Sequence, residues 1–394
     1  MRKLFQGGSV FDSSSRTFKK MNMITDGALI ESLVPDRDPE DCEVIDCTGK
    51  FLVPGLVDVH THGRSGYDFI SASAEQIDLM RRSYAMKGTT TLMATLASAP
   101  LDGLFAAAER INGNRTPKPG TASIAGIHLE GRYLNPEKKG AHAPELLSSP
   151  DDGQINTLLE RMCPLPIHVS AAPELDTEGS FINTVTSFGA TYGIAHTNAT
   201  YEEATEAVRR GARSFTHTFN CMRQIHHREP GCAVCSLLSD EAYSEFICDG
   251  EHVRPEMVVM ASKMKPADRF VLVTDSMEAA GCTDGEYSIG GLPVTVKNGR
   301  ATTHDGVLAG STLDLFTALI NYMKFTGFTL EEALPAATSN PSDMVKISDV
   351  CGRLLPGLRA DFIILDNKED PNISEIYAAG EKVPLQRSIE RTEK

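Results

Sequence analysis

The hydrophobic positions of the chain fall into two alternating patterns. Short apolar or β-branched runs, at Leu52–Val59, Thr89–Thr95, Ser123–Leu129, Pro166–Ser170, Thr191–Ala195, Ser214–Thr218, Ser244–Cys248 and Phe270–Thr274, read as buried strands. Between them, apolar residues recur every three or four positions over Ala74–Lys87, Leu101–Asn112, Ile155–Met162, Phe181–Phe188, Tyr201–Arg210 and Pro255–Lys263, the period of an amphipathic helix. Thr200 ahead of Tyr201 predicts an N-cap, with Glu203 as its reciprocal partner. Eight strands joined by helical crossovers is the count of an α/β fold of the (β/α)8, TIM-like barrel type.

The rhythm changes at both ends and once near the end of the barrel. Residues 1–53 carry short apolar runs separated by turns, at Leu4-Phe5, Val10-Phe11, Gly27 to Ile30 and Glu43 to Ile45. Residues 351–366 have the same character. The expectation is a small flanking β-sandwich domain built from both chain ends, 1–53 plus 351–394, beside a barrel over 54–350. At about 286–310 the pattern is again that of strands. Asn298-Gly299, between VTVK and RATT, signals a two-residue hairpin, and Ser288-Ile-Gly-Gly a turn. This predicts a β insertion after the eighth strand, with helices resuming at Ser311–Phe325 and Leu330–Ala337.

Charge and cysteine usage narrow the function. The 394 residues carry a formal charge of −15, with the acidic side chains dispersed, which argues against nucleic-acid binding. A small anionic substrate would need a local basic pocket against that field. The nine cysteines have no framework spacing, and segments such as those of Cys163 and Cys248 are apolar, which suggests reduced thiols in the cytoplasm. Cys232 and Cys235 form one CxxC with no second pair, read as helix packing. The N-terminus shows no signal peptide, and no apolar run reaches the roughly 18 residues a membrane span needs.

The candidate chemistry lies where the predicted strands end. His60 and His62 close the first strand and share a face, because alternate side chains of a strand point the same way. Glu130 closes the third, His196 the fifth, His217 the sixth and Asp275 the eighth. In a barrel the carboxyl ends of the strands converge on one face. One strand-end histidine is usually a hydrogen-bonded core residue; six such residues at matching positions point to a metal centre. Imidazole and carboxylate together suit zinc, iron or another divalent transition metal. His168, inside the fourth strand, reads as packed core.

PGLVDVHTHG followed by a strand-eight aspartate resembles the amidohydrolase superfamily. GIHLEGRYLNPEKKGAH, HTNATYEEA, FTHTFNCM, REPG, DGEHV, LVTDSMEAAG and GVLAGSTL resemble its N-acetylglucosamine-6-phosphate deacetylase family, over about residues 51 to 366. The resemblance implies hydrolysis of a linear amide in amino-sugar catabolism, with acetate removed from N-acetylglucosamine 6-phosphate to give glucosamine 6-phosphate. N-acetylgalactosamine 6-phosphate is the alternative. It implies one or two divalent metal ions per subunit, zinc or another transition metal, on Glu130, His196 and His217, with His60 and His62 beside a second ion. Asp275 matches the catalytic carboxylate, and His142 a catalytic and substrate-binding histidine near the acetamido group. Asn220, the backbone of Cys221, Arg228 and His252 match the residues that grip the sugar phosphate. A homodimer whose partner can complete the phosphate site is also implied.

The chain departs from the family at Arg132, where proline is usual after HLEG, at Cys221, and at Arg254. The two arginines read as changes in sugar contacts. A carbamylated lysine, as in cyclic-amide hydrolases, would end strand four, and LPIHVSAAPE has no lysine there. A sugar-phosphate sensor on a decayed scaffold would have lost Asp275 or the ligands, and all are present.

Overall fold

Eight parallel strands stand side by side in chain order in the computed structural model, which describes residues 1–35 and 41–385. They are β1 (Leu56–Thr61), β2 (Thr89–Leu96), β3 (Ser123–Glu130), β4 (Ile167–Ala171), β5 (Thr191–Ile194), β6 (Ser214–Phe215), β7 (Tyr243–Ile247) and β8 (Phe270–Val273). Every residue in them except Ala125 is buried, as expected of a parallel sheet with helices outside and side chains filling the centre. The ring closes where β1 meets the segment after β8. There the Asp275 N–H donates to the His60 carbonyl at 2.9 Å, and the His62 N–H to the Ser276 carbonyl at 2.8 Å.

Helices Ala74–Ala85, Leu101–Gly113, Ile155–Met162, Ser180–Ser187, Tyr201–Arg209, Gly231–Leu238 and Pro255–Met264 follow β1 to β7 in turn. The predicted cap at Thr200 forms in both directions, Glu203 N–H to Thr200 Oγ1 at 3.2 Å and Thr200 N–H to the Glu203 carboxylate at 2.8 Å. Cys232 and Cys235 are buried in helix Gly231–Leu238, and burial pushes the Cys232 thiol up to about 12, which fits packing. The helix after β8 begins at Leu315, not Ser311, because Asp314 caps it through the Thr317 N–H at 2.9 Å. Residues 330–337 split into an α turn, Leu330–Ala333, and a 3-10 turn, Leu334–Ala337, that carries Pro335.

The run predicted as one strand over Leu52–Val59 is two. Phe51–Pro54 pairs antiparallel with Phe362–Leu365, and after Gly55 the chain enters β1. A Cβ at Gly55 would lie 2.1 Å from Thr90 Oγ1, so the crossing point has room only for glycine. Both pieces are apolar, so the hydrophobic pattern carries no boundary between them.

The chain ends form two further sheets. One has the order Leu29–Val34, Asn22–Asp26, Arg2–Gln6, Glu43–Asp46. The other runs Glu381–Lys382, Ile373–Ala378, Phe362–Leu365, Phe51–Pro54, Ser9–Asp12, Thr17–Lys20. Phe5, Met23 and Ile30 of the first pack against Val10, Leu52, Phe362 and Tyr377 of the second, with Phe362 and Tyr377 stacked at 4.7 Å. Residues 36–40 and 386–394 of the stretches assigned to this part lie outside the described residues. Thr17–Lys20 escapes the hydrophobic pattern because its side chains are largely exposed.

The insertion after β8 is a three-stranded antiparallel sheet, Gly285–Ile289, Leu292–Lys297 and Arg300–Thr303. Asn298 and Gly299 both take positive φ, 53° and 75°, as the two-residue hairpin requires. Its apolar face packs Ile289, Val294 and Val296 on Met277 and Ala309, with Ala141 alongside.

Candidate active site

The side chains that end the strands meet at one point, around Glu130. Its Oε1 lies 2.9 Å from His217 Nε2 and 3.4 Å from His196 Nε2. Its Oε2 lies 3.0 Å from His62 Nε2 and 3.3 Å from His60 Nε2. Asp275 Oδ1 completes the second group, 3.1 Å from His62 Nε2 and 3.4 Å from His60 Nε2. The cluster therefore has two lobes sharing one carboxylate, and none of the six residues is more than 9 % exposed.

Local backbone strain aims three of them. His196, His217 and Asp275 sit just past the ends of β5, β6 and β8 with φ of 43°, 32° and 48°, the left-handed region that side chains normally avoid. Such positions cost about 1–3 kcal/mol each and persist only where the surroundings enforce them. Here the His196 Nδ1–H donates to the Lys138 carbonyl at 2.7 Å, and the Ser311 N–H donates to the Asp275 carbonyl at 2.7 Å.

The donor set fits a cation. Because a carbonyl can only accept, His196 carries its proton on Nδ1 and turns a lone pair inward from Nε2. His60 is fixed the same way, its Nδ1–H donating to Glu245 Oε2 at 3.2 Å, which leaves Nε2 buried without a hydrogen bond. The Nε2 atoms of His196 and His217 face each other at 3.1 Å. Burial works against a proton on His62, but hydrogen bonds to Asp275 and Glu130 outweigh it and raise its pKa to about 9. Burial likewise pushes the Asp275 carboxyl up, yet the neighbouring imidazoles of His60 and His62 hold it below the usual carboxylate range. His60, His62, Glu130 and Asp275 form one group able to hold a metal ion, and Glu130, His142 and His196 another.

His142 has the opposite character to Asp275. Its Nδ1 contacts Ser98 Oγ at 2.9 Å and accepts the Ser98 N–H at 3.4 Å, which places the ring proton on Nε2. Burial lowers its pKa to about 3, so it is a neutral hydrogen-bond donor.

The residues matched to phosphate binding are less uniformly placed. Asn220 and Cys221 lie in the same loop as His217, beyond Thr218 and Phe219, and Asn220 Nδ2 donates to the His217 carbonyl at 3.1 Å. His252 Nδ1 pairs with Asp249 Oδ2 at 2.6 Å, and Asp249 raises its pKa against the effect of burial. Arg228 is not brought to the cluster: it is exposed, 2.8 Å from His227, beside the equally exposed His226. Nor do the two arginines read as sugar contacts line the site. Arg132 donates to Ser148 Oγ at 2.7 Å and lies 3.6 Å from Asp152, bracing the loop after β3. The Arg254 side chain is 74 % exposed beside Glu256. His168 is core as expected, 2.8 Å from Thr191 Oγ1, with burial lowering its pKa to about 4.

Two functional-looking residues escape the strand-end reading. Glu245, fully buried in β7, accepts from both His60 Nδ1 and, at 3.3 Å, the His217 backbone N–H. Asp58 in β1 accepts from Thr274 Oγ1 at 2.6 Å, and burial raises its pKa to about 6. The available signal was a lone carboxylate inside an apolar strand, which needs a partner to be buried at all.

A parallel barrel with a histidine–carboxylate cluster at the carboxyl ends of its strands is the architecture of a metal-binding barrel hydrolase. The model of the Amidohydrolase family matches residues 186–386, and with the relatives below it shows that the chain belongs to the amidohydrolase family. The N-acetylglucosamine-6-phosphate deacetylase of Lysinibacillus sphaericus is 31 % identical over 358 residues, 91 % of this chain and 92 % of that protein. The N-acetylgalactosamine-6-phosphate deacetylase of Escherichia coli O157:H7 is 31 % identical over 354 residues, 90 % of this chain and 93 % of that protein. A solved structure of N-acetyl-D-glucosamine-6-phosphate deacetylase from Mycobacterium smegmatis, an Asp-to-Ala variant in complex with N-acetyl-D-glucosamine 6-phosphate, matches with a TM-score of 0.88 and 28 % identity. That match covers 97 % of this chain and all of the other. Among the described residues no helix is long and apolar enough to cross a membrane.

Proposed function

We propose that the protein removes acetate from N-acetylglucosamine 6-phosphate, giving glucosamine 6-phosphate. The observation that carries this reading is the buried two-lobed cluster, in which Glu130 is shared by His196 and His217 on one side and by His60 and His62 on the other, with Asp275 beside the second pair. A second reading, N-acetylgalactosamine 6-phosphate as substrate, is favoured by the equal identity to the Escherichia coli relative of that name.

Glu130, His196 and His217 would hold one divalent ion, zinc or another transition metal, and His60 and His62 a second beside Asp275. When bound, such an ion polarises an amide carbonyl and eases deprotonation of water at neutral pH. Asp275 takes the proton from the attacking water and delivers it to the amine nitrogen as the C–N bond breaks. The water oxygen stays on the acyl carbon, so one water is consumed and acetate and a free amine leave. His142 Nε2–H donates to the oxygen on which negative charge develops. Because it is neutral in the resting site, it makes this bond without giving up a charge. Asn220, the main chain of Cys221 and His252 receive the sugar phosphate.

Arg228 adds a fork suited to phosphate. Its exposure supports a homodimer in which this segment reaches a neighbouring site. A cytoplasmic setting is supported by the buried thiols of Cys232, Cys235, Cys248 and Cys351. We divide the chain into a small β-domain, 1–53 plus 351–394, and a barrel, 54–350, a division supported by the pairing of Phe51–Pro54 with Phe362–Leu365.

The test is acetate release by metal-loaded protein from the two N-acetylated sugar phosphates. Release from one, reduced at least about 100-fold in Asp275→Asn, is the expected result. No release from either, with metal content confirmed, overturns the reading.

A further inference from the structure

A cavity of about 360 Å³ lies among the outer helices, between Ser180–Ser187 and Tyr201–Arg209 and beside the turn Pro173–Leu175 that follows β4. That volume is in the range of a site for a small molecule. Pro173, Ile182 and Ala207 give it apolar walls, while its polar lining holds five carboxylates and one guanidinium, that of Arg210. Among the described residues these carboxylates form no group close enough to share a metal ion, so the excess negative charge suits an organic cation.

Tyr192, from β5, also lines this cavity. Its side chain is fully buried, and its hydroxyl has no hydrogen-bond partner. Burial raises its pKa and the charges of Asp176 and Glu174 raise it further, which sets the hydroxyl near two of the carboxylates that line the cavity. Both Asp176 oxygens are already taken, by the N–H groups of Phe181 and Ile182 at 3.2 and 3.0 Å. A buried hydroxyl left unpaired is costly, and a ligand oxygen would supply the acceptor it lacks. Arg210 is held in place beside it. Its Nε donates to Glu206 at 2.7 Å, and a Cβ at Gly179 would lie 1.5 Å from its Nη1, so the guanidinium occupies room that only glycine leaves.

Glu174 ties the cavity to the strand-end cluster. Its carboxylate accepts the Asn198 N–H at 2.6 Å, the Asn135 side-chain amide at 2.8 Å and the Thr197 hydroxyl. Thr197 and Asn198 follow His196, and the Asn135 N–H donates to the His196 carbonyl at 3.0 Å. One carboxylate in the cavity wall therefore holds both segments that fix the main chain of His196.

We propose that this cavity is an effector site for a small primary ammonium bearing hydroxyl groups, the class of an unmodified amino sugar, and that its occupancy is coupled through Glu174 to His196. The ammonium meets the carboxylates, and the hydroxyl oxygens accept from Tyr192 and Arg210. An N-acetylated sugar carries no charge on nitrogen, so the site tells amine from amide. A phosphate would face like charge, which favours the unphosphorylated amine. Binding here does not depend on the deacetylase reading.

The experiment titrates glucosamine into metal-free and cobalt-loaded protein by calorimetry, with N-acetylglucosamine as the uncharged control. Glucosamine is expected to bind one site per chain, at least about 10-fold more tightly than the control. Tyr192→Phe, which removes only the hydroxyl, should weaken glucosamine about 5–10-fold while thermal stability holds or rises, because an unpaired hydroxyl leaves the interior. Glu202→Gln, at the exposed rim, should weaken it about 2–5-fold. Affinities with and without metal should differ by about 5-fold or more. No binding, equal binding of the two sugars, or a glucosamine affinity untouched by both substitutions overturns the site. A loss of stability in Tyr192→Phe does so too, by showing that the hydroxyl is already paired. Equal affinity with and without metal overturns the coupling alone. None of these readouts involves acetate release, so failure here and failure of the deacetylase reading are separate results.

Discussion

Glu245 touches one residue from each lobe of the cluster, the ring of His60 and the main chain of His217. A carboxylate behind a ligating imidazole sets its tautomer and orientation, and losing it typically weakens metal binding about 10–100-fold. Glu245→Ala should therefore lose affinity by that factor in chelator competition and change the visible spectrum of the cobalt-substituted protein. Glu245→Gln should keep most of both, because its amide oxygen can still accept from His60 Nδ1. Wild-type affinity in the alanine variant would show that His60 needs no such anchor. The residues proposed as ligands were legible as a set because each ends an apolar run. Glu245 was not, because nothing near it in the sequence says that it faces His60, 185 positions away.

At the scale of elements, helices and strands follow the hydrophobic period closely, and the errors fall where two apolar elements abut. Gly55 is the clearest case, since the chain passes there from the flanking sheet into β1 against the side chain of Thr90. Gly55→Ala is expected to cost about 1–3 kcal/mol in denaturant unfolding, the range of overpacking in a close-packed interior. Gly103, within helix Leu101–Gly113, has open space where a Cβ would go. Gly103→Ala should accordingly be stabilising, by about 0.5–1 kcal/mol. Equal effects of the two substitutions would refute the crowding argument. The inserted sheet was readable from Asn298-Gly299, but its fold-back over the mouth of the barrel was not, because a hairpin signal specifies a turn and no docking face.

For the whole molecule, the acidic charge of −15 means that an anionic substrate needs local cations, a part proposed above for His252 and Arg228. The exposure of Arg228 makes its contribution a question of assembly. If the protein is a dimer and Arg228 serves the partner's site, Arg228→Ala and Asp275→Asn proteins should each be weak alone. A one-to-one mixture that exchanges subunits should then recover about a quarter of wild-type activity, since half the dimers are mixed and carry one intact site. Light scattering would establish the dimer first; no recovery in mixed dimers would place Arg228 in its own chain's site.

The sequence by itself determined the order of strands and helices, the β character of both ends and the set of strand-end histidines and carboxylates, all of which depend on local period and on what closes each apolar run. Only the tertiary structure decided what stands across the ring from what. Glu245 behind His60, Asp58 against Thr274, and Arg132 turned to brace Ser148 each join residues distant in the chain. Closure of the barrel brings these residues together, because it makes neighbours of β1 and β8 and gathers the loops of every strand over one opening.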